Sequence, residues 1–137
     1  MSSNINVLNN NDQYIKLEDI IKNKPKLIIR YTSLTCNSCV DTLITYAKKV
    51  VKRIGRENVI VFAQYESLRD FHLFNRINKN YIDIYRVEDK ITKLDYSDTP
   101  YMFILNPDKS ISHLYIPHKE VPHLISWYFN QVEPILN

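Results

Sequence analysis

Two cysteines stand three residues apart, at Cys36 and Cys39, in a chain of 137 residues with no others. Chance would give that spacing in about 1 of 70 such sequences. A sulfur pair at i and i+3 can pack as small hydrophobic groups, share a metal ion, or cycle between dithiol and disulfide. Structural zinc asks for about four ligands, and no second cysteine pair exists. His113, His118 and His123 are spaced by five, which is neither a helix nor a strand period. They read as surface or half-buried side chains, so no metal site is assigned. A metallochaperone built from Cys36, Cys39 and one of these histidines stays open beside the redox reading.

Placement adds to spacing. The pair falls between an apolar run, Leu27–Tyr31, and a long amphipathic segment beginning near Val40. Cys36 then lies near the helix N-cap, with Cys39 about one turn in. Free N–H groups and the positive end of the helix dipole favour an anion there, hence thiolate over thiol at Cys36. Cys39 is within reach to close a disulfide and expel a substrate from a mixed disulfide. It also begins the face continued by Val40 and Leu43, so Cys39 is expected to be the more buried and Cys36 the more exposed.

The elements that must hold this pair are legible as periods. Leu27–Tyr31 and Val59–Ala63 are continuous apolar runs rich in β-formers and read as buried strands. Between them Val40, Leu43, Ile44, Ala47, Val50, Val51 and Ile54 recur at spacings of three and four, with Gly55 placed to cap the end. Strand, helix and strand in about 37 residues make a parallel βαβ unit with a right-handed crossover. Upstream, Leu17–Lys24 reads as a short helix ended by Pro25. Downstream, Ser67 and Asp70 open a helix to about Arg76. Tyr81–Tyr85 is a short strand, and Val87–Ser97 a polar connection with one helical turn. Tyr101–Leu105 and Ile111–Ile116 form a hairpin around Asn106–Lys109, with Ile111, His113 and Tyr115 on one face and Ser112, Leu114 and Ile116 on the other. Val121, Leu124, Ile125, Tyr128 and Val132 mark a last helix, with Pro122 in its first turn. The fold class expected is α/β: one mixed sheet flanked by helices.

Composition sets the outer limits. Hydrophobic residues make up 45% and charged residues 24%, enough for a core that needs no disulfide framework. The net charge is +3, and no Lys/Arg run exceeds two residues, so nothing reads as a nucleic-acid footprint. No apolar stretch approaches the roughly 18 residues of a membrane span. Residues 1–14 are polar and Asn-rich and read as a flexible lead-in; 15–137 read as one domain. A cytoplasmic protein fits this start, and so does a periplasmic or cell-envelope domain whose leader has been removed.

Three features in order resemble the thioredoxin superfamily, within it the TlpA-like and redoxin branch, over roughly residues 25 to 130. Lys24-Pro25-Lys26-Leu27-Ile28-Ile29-Arg30-Tyr31 leads into Cys36-x-x-Cys39 at a helix start. Thr99-Pro100 immediately precedes a strand, and Tyr101–Ile111 looks like that family's strand, acidic turn and returning strand. Thr35 stands where an aromatic residue is usual there, Asn37-Ser38 in place of Gly-Pro, and Ser110 where a turn glycine is common. No carboxylate is assignable to the family's buried acid beneath the second cysteine. Peroxiredoxins are the nearest competitor, but no proline stands between Tyr31 and Cys36.

The resemblance implies a thioredoxin-like fold and a thiol–disulfide oxidoreductase acting on protein disulfides. Cys36 and Cys39 would be its catalytic pair, with no cofactor. Its partners would be protein thiols or disulfides and a second redox protein, and the chain a monomer. It implies a cis bond at Thr99–Pro100, with both residues beside the cysteines and the Thr99 backbone pairing with an extended substrate. A binding module of the same fold, with or without a metal and without redox turnover, is the alternative. Tyr31, Tyr65, Tyr96 and Tyr101 lie near strand ends, where one beside the cysteines could shape a substrate groove. Trp127 reads as a packing residue.

Overall fold

The computed structural model describes residues 5–117 and 123–136. The expectations for Met1–Asn4, His118, Val121 and Pro122 lie outside those residues.

Strand formation starts from side chains that suit a pleat buried on both faces. Lys26–Tyr31 (β3) and Val59–Ala63 (β4) are buried throughout and pair in parallel, Leu27 opposite Val59 and Tyr31 opposite Ala63. Asp83–Arg86 (β5) adds a third parallel strand beside β4. Tyr101–Leu105 (β6) lies antiparallel on the other side of β3, and Ile111–Tyr115 (β7) returns beside it. Val7–Leu8 (β1) and Tyr14–Ile15 (β2) complete a seven-stranded sheet in the order β2-β1-β5-β4-β3-β6-β7. The lead-in is therefore not loose along its whole length. Val7 is buried among Leu17, Ile20 and Ile28, and Leu8 pairs with Arg86, an apolar anchor within a polar stretch.

Alternation in the central strands divides the core. Leu27, Ile29 and Tyr31 of β3 and Val59, Val61 and Ala63 of β4 meet the helix Asn37–Ile54 (α2) through Val40, Leu43, Ile44, Ala47 and Val50. Each buried Val, Leu or Ile of that stripe contributes roughly 1.5–3 kcal/mol. Ile125, Tyr128, Phe129 and Val132 of His123–Leu136 (α4) and Phe71 of Leu68–Asn78 (α3) share this face. Ile28, Ile60, Phe62 and Phe103 point the other way, under Leu17–Ile21 (α1) and the 87–96 connection. α1 ends sooner than its pattern suggested, because Lys22 and Asn23 both adopt left-handed backbone before Pro25. Trp127 is 54% exposed and corrects the expectation of packing; the buried stripe of α4 runs through Ile125, Tyr128, Phe129 and Val132 and leaves residue 127 on the outer side.

The hairpin departs from strict alternation. Met102 pairs with Tyr115 and Ile104 with Ser112, so β7 carries one residue more than β6. His113 absorbs it at φ 54°, left-handed backbone that one class of bulge uses and that His tolerates better than most side chains. Ile111 consequently packs on the α1 face, while Tyr115 stacks on Tyr128 at 4.8 Å on the other.

Candidate functional site

The loop between β3 and α2 is tied before it reaches the cysteines. Thr35 N–H donates to Thr32 O at 3.0 Å, Thr32 N–H to Thr35 Oγ1 and Leu34 N–H to Thr32 Oγ1, each at 3.3 Å. Gln64, just past β4, accepts from Ser33 N–H at 2.9 Å and from its hydroxyl at 3.1 Å, while its own N–H donates to Tyr31 O. The start of α2 is thus fixed to the ends of both central strands. Thr35, in the place of the expected aromatic residue, is buried and holds this turn.

Cys36 is the N-cap of α2, with extended backbone at φ −66°, ψ 143°. Its sulfur accepts the Cys39 N–H at 3.2 Å, and its carbonyl the Val40 N–H at 3.1 Å. Cys36 and Cys39 are joined in a disulfide, their Cα atoms 5.2 Å apart. With that sulfur carrying no proton, the Ser38 hydroxyl 3.5 Å away is the donor toward it. Both cysteines are half-buried in this closed pair. Their difference is electronic: the amide of the first helical turn points at Cys36 Sγ.

A cleft of about 490 Å³ opens against this turn, lined by Thr35 and Asn37 on either side of Cys36 in sequence and by residues of β3, α2 and the start of α3. Tyr31 and Tyr65 form its wall, their hydroxyls 2.9 Å apart and their rings edge-on at 5.8 Å. Burial first, then the neighbouring Tyr65, pushes the Tyr31 phenol well above its ordinary range; burial also raises Tyr65. Of the four tyrosines singled out at strand ends, these two meet beside the cysteines. Tyr96 is exposed, and Tyr101 is buried on the opposite face of the sheet. Sequence reasoning missed Asp41, Glu66 and Asp70, which line the same cleft. Asp41 lies on α2, Glu66 in the loop after β4 and Asp70 in the first turn of α3, so the tertiary fold is what brings Asp41 to the other two.

A second missed feature is the buried pair Arg30–Asp95. Arg30 Nε and Nη2 each donate to Asp95 at 3.2 Å, and Nη1 donates to Val87 O at 2.7 Å. Asp95 also accepts from Tyr101 Oη at 2.9 Å and Ile91 N–H at 2.7 Å. Arg30 alternates with Tyr31, so this pair lies on the sheet face away from α2. It is a buried carboxylate, but not one beneath Cys39.

No protein-family model and no curated protein matches the sequence. Solved structures match its shape. The thioredoxin domain of a thiol-disulfide oxidoreductase from Bacteroides vulgatus is 14% identical, with TM-score 0.61 over 97% of this chain and 92% of that one. An exposed lipoprotein thioredoxin from Streptococcus pneumoniae is 16% identical, with TM-score 0.56 over 92% and 97%. Arabidopsis thaliana ScoI, solved with copper bound, is 12% identical, with TM-score 0.58 over 94% and 96%. The fold is thioredoxin-like.

Within that thioredoxin-like frame one expectation is corrected. The Thr99–Pro100 bond is trans, and no cis bond occurs among the described residues. Trans is the ordinary preference of an X-Pro bond, by roughly 0.5–1 kcal/mol. The Thr99 N–H is turned back to Ser97 Oγ at 3.2 Å, so the argument for substrate pairing at Thr99 loses its basis. The register nevertheless brings Pro100 to the cysteine end of the sheet, one residue beyond the Arg30–Tyr101 pair. Among the described residues no three His, Cys, Asp or Glu side chains converge as a metal site would need, and no helix is long and apolar enough to cross a membrane. His113 is exposed.

Proposed function

We propose that this protein is a thiol–disulfide oxidoreductase whose reactive pair is Cys36 and Cys39, acting on disulfides or dithiols of protein partners. One observation carries the reading: a closed disulfide at the first turn of α2, half-exposed, with the Cys39 amide donating to Cys36 Sγ. That amide and the helix start stabilise negative charge on Cys36 once the disulfide opens.

In the reducing direction the Cys36 thiolate attacks one sulfur of a substrate disulfide. A Cys36–substrate bond forms, the substrate S–S bond breaks, and the departing thiolate takes a proton from water. Cys39 then gives its proton to water, and its thiolate attacks Cys36 Sγ. The Cys36–Cys39 bond closes, the Cys36–substrate bond breaks, and the second substrate sulfur leaves as thiolate. Two electrons pass to the substrate, which becomes a dithiol. Run backward from the closed pair, the same steps oxidise a dithiol, and the partner's potential sets the direction.

Insulin reduction tests the proposal. With dithiothreitol as electron source, the wild-type protein should precipitate insulin chains faster than dithiothreitol alone, and Cys36→Ser should match the background. Background activity from the wild type, both here and in oxidative refolding of a reduced protein, would refute it.

A further inference from the structure

We propose that the cleft beside Cys36 receives a cationic segment of the protein partner, one bearing Lys or Arg close to the partner's own cysteine. This rests on the oxidoreductase reading for its position and on the cleft itself for its chemistry. At about 490 Å³ the cleft falls within the roughly 300–1,000 Å³ of pockets that enclose a ligand.

Charge sets the preference. Asp41, Glu66 and Asp70 are exposed along the cleft, and none forms an ion pair among the described residues. No Lys or Arg is among its lining residues, although the chain as a whole is +3. The starts of α2 and α3 oppose a cation with roughly half a positive charge each. Three carboxylates exceed them, leaving about two net negative charges. The wall behind them is aromatic, with Tyr31 and Phe74 rings meeting at 5.6 Å and Tyr65 and Phe74 at 6.1 Å.

Two buried hydroxyls point to a polypeptide. Thr32 and Thr35 line the cleft at 5% and 7% exposure. Each hydroxyl oxygen accepts one loop amide, but neither hydroxyl proton has an acceptor among the described residues. A ligand carbonyl entering the cleft would give either hydroxyl an acceptor. An extended peptide supplies both groups, a backbone carbonyl at the threonines and a cationic side chain between the carboxylates.

The test uses the whole protein and three short peptides alike except for charge: Lys/Arg-flanked, neutral and Glu-flanked, each with Ser in place of its cysteine. Calorimetric binding at low salt should favour the cationic peptide over the acidic one by about tenfold or more. The ratio should shrink at about 0.5 M salt. It should vanish in the combined Asp41→Asn, Glu66→Gln, Asp70→Asn variant. Glu66→Lys with Asp70→Lys should reverse it, a gain that misfolding cannot imitate. Equal binding of the three peptides, or a preference that survives neutralisation, overturns the proposal. Thiol exchange with the cysteine-containing neutral peptide separates the two readings. Exchange without charge preference removes the cleft proposal alone, and charge preference without exchange removes the oxidoreductase reading alone.

Discussion

Asp95→Ala is the substitution whose consequence the structure defines most fully. Both Arg30 and Asp95 side chains are fully buried. Asp95 receives two guanidinium N–H groups, the Tyr101 hydroxyl and the Ile91 amide. Removing it leaves a buried cation without its counter-charge, a change that costs roughly 3–5 kcal/mol. Arg30 keeps the Val87 and Asp89 carbonyls, which softens the loss. Tyr101 Oη and Ile91 N–H lose an acceptor, which adds to it. The two corrections oppose each other, so about 4 kcal/mol is expected. At a urea slope of about 2 kcal/mol/M the unfolding midpoint should fall by about 2 M. Replacing both partners, Arg30→Met with Asp95→Leu, removes the stranded charge and should cost at least about 2 kcal/mol less than the two single changes added together. Urea melts followed by far-UV circular dichroism read Asp95→Ala, the double variant and its two single changes against wild type. A loss below about 1 kcal/mol for Asp95→Ala, or strict additivity in the double variant, would refute the reasoning.

Gly55→Ala should destabilise by roughly 1–3 kcal/mol, because residue 55 sits at φ 100°, ψ 145°, backbone that side-chain-bearing residues rarely adopt; thermal melts against wild type check it. Burial raises the phenols of Tyr31, Tyr65, Tyr101 and Tyr128 above their ordinary value of 10. A phenol raised by folding contributes stability that is whole below pH 10 and lost as pH climbs above it. Stability should therefore fall steadily above pH 10, and 295 nm titration should show these tyrosines ionising together with unfolding.

What could be read from the sequence follows from the range of the interactions involved. β3, β4 and α2 were legible because each carries its own unbroken period, and Cys36 fell at the N-cap because that period begins beside it. β1 and β2 were hidden because each has two residues, too few for alternation to show. The β7 bulge at His113 and the trans bond at Pro100 are choices of backbone that the residue types permit without dictating. Arg30–Asp95 joins positions 65 residues apart, and the carboxylates of the cleft come from two stretches of chain, Asp41 on α2 and Glu66 with Asp70 at the start of α3. Tyr31 and Tyr65 could be flagged as candidates by their place at strand ends, yet only β3–β4 pairing brings their hydroxyls together. Trp127 was misjudged because a large apolar residue on a helix reads as core unless its neighbours' stripe is followed around the turn.

The central claim is a division of labour between two sulfurs, and mass spectrometry of trapped adducts tests it most directly. Cys39→Ser, reduced and then mixed with a protein disulfide, should retain attack through Cys36 and lose release. It should accumulate a covalent mixed disulfide at Cys36 that dithiothreitol dissolves. Cys36→Ser, treated alike, should accumulate none. No adduct from Cys39→Ser, or equal adducts from both variants, would contradict the assignment of Cys36 as nucleophile and Cys39 as the resolving thiol.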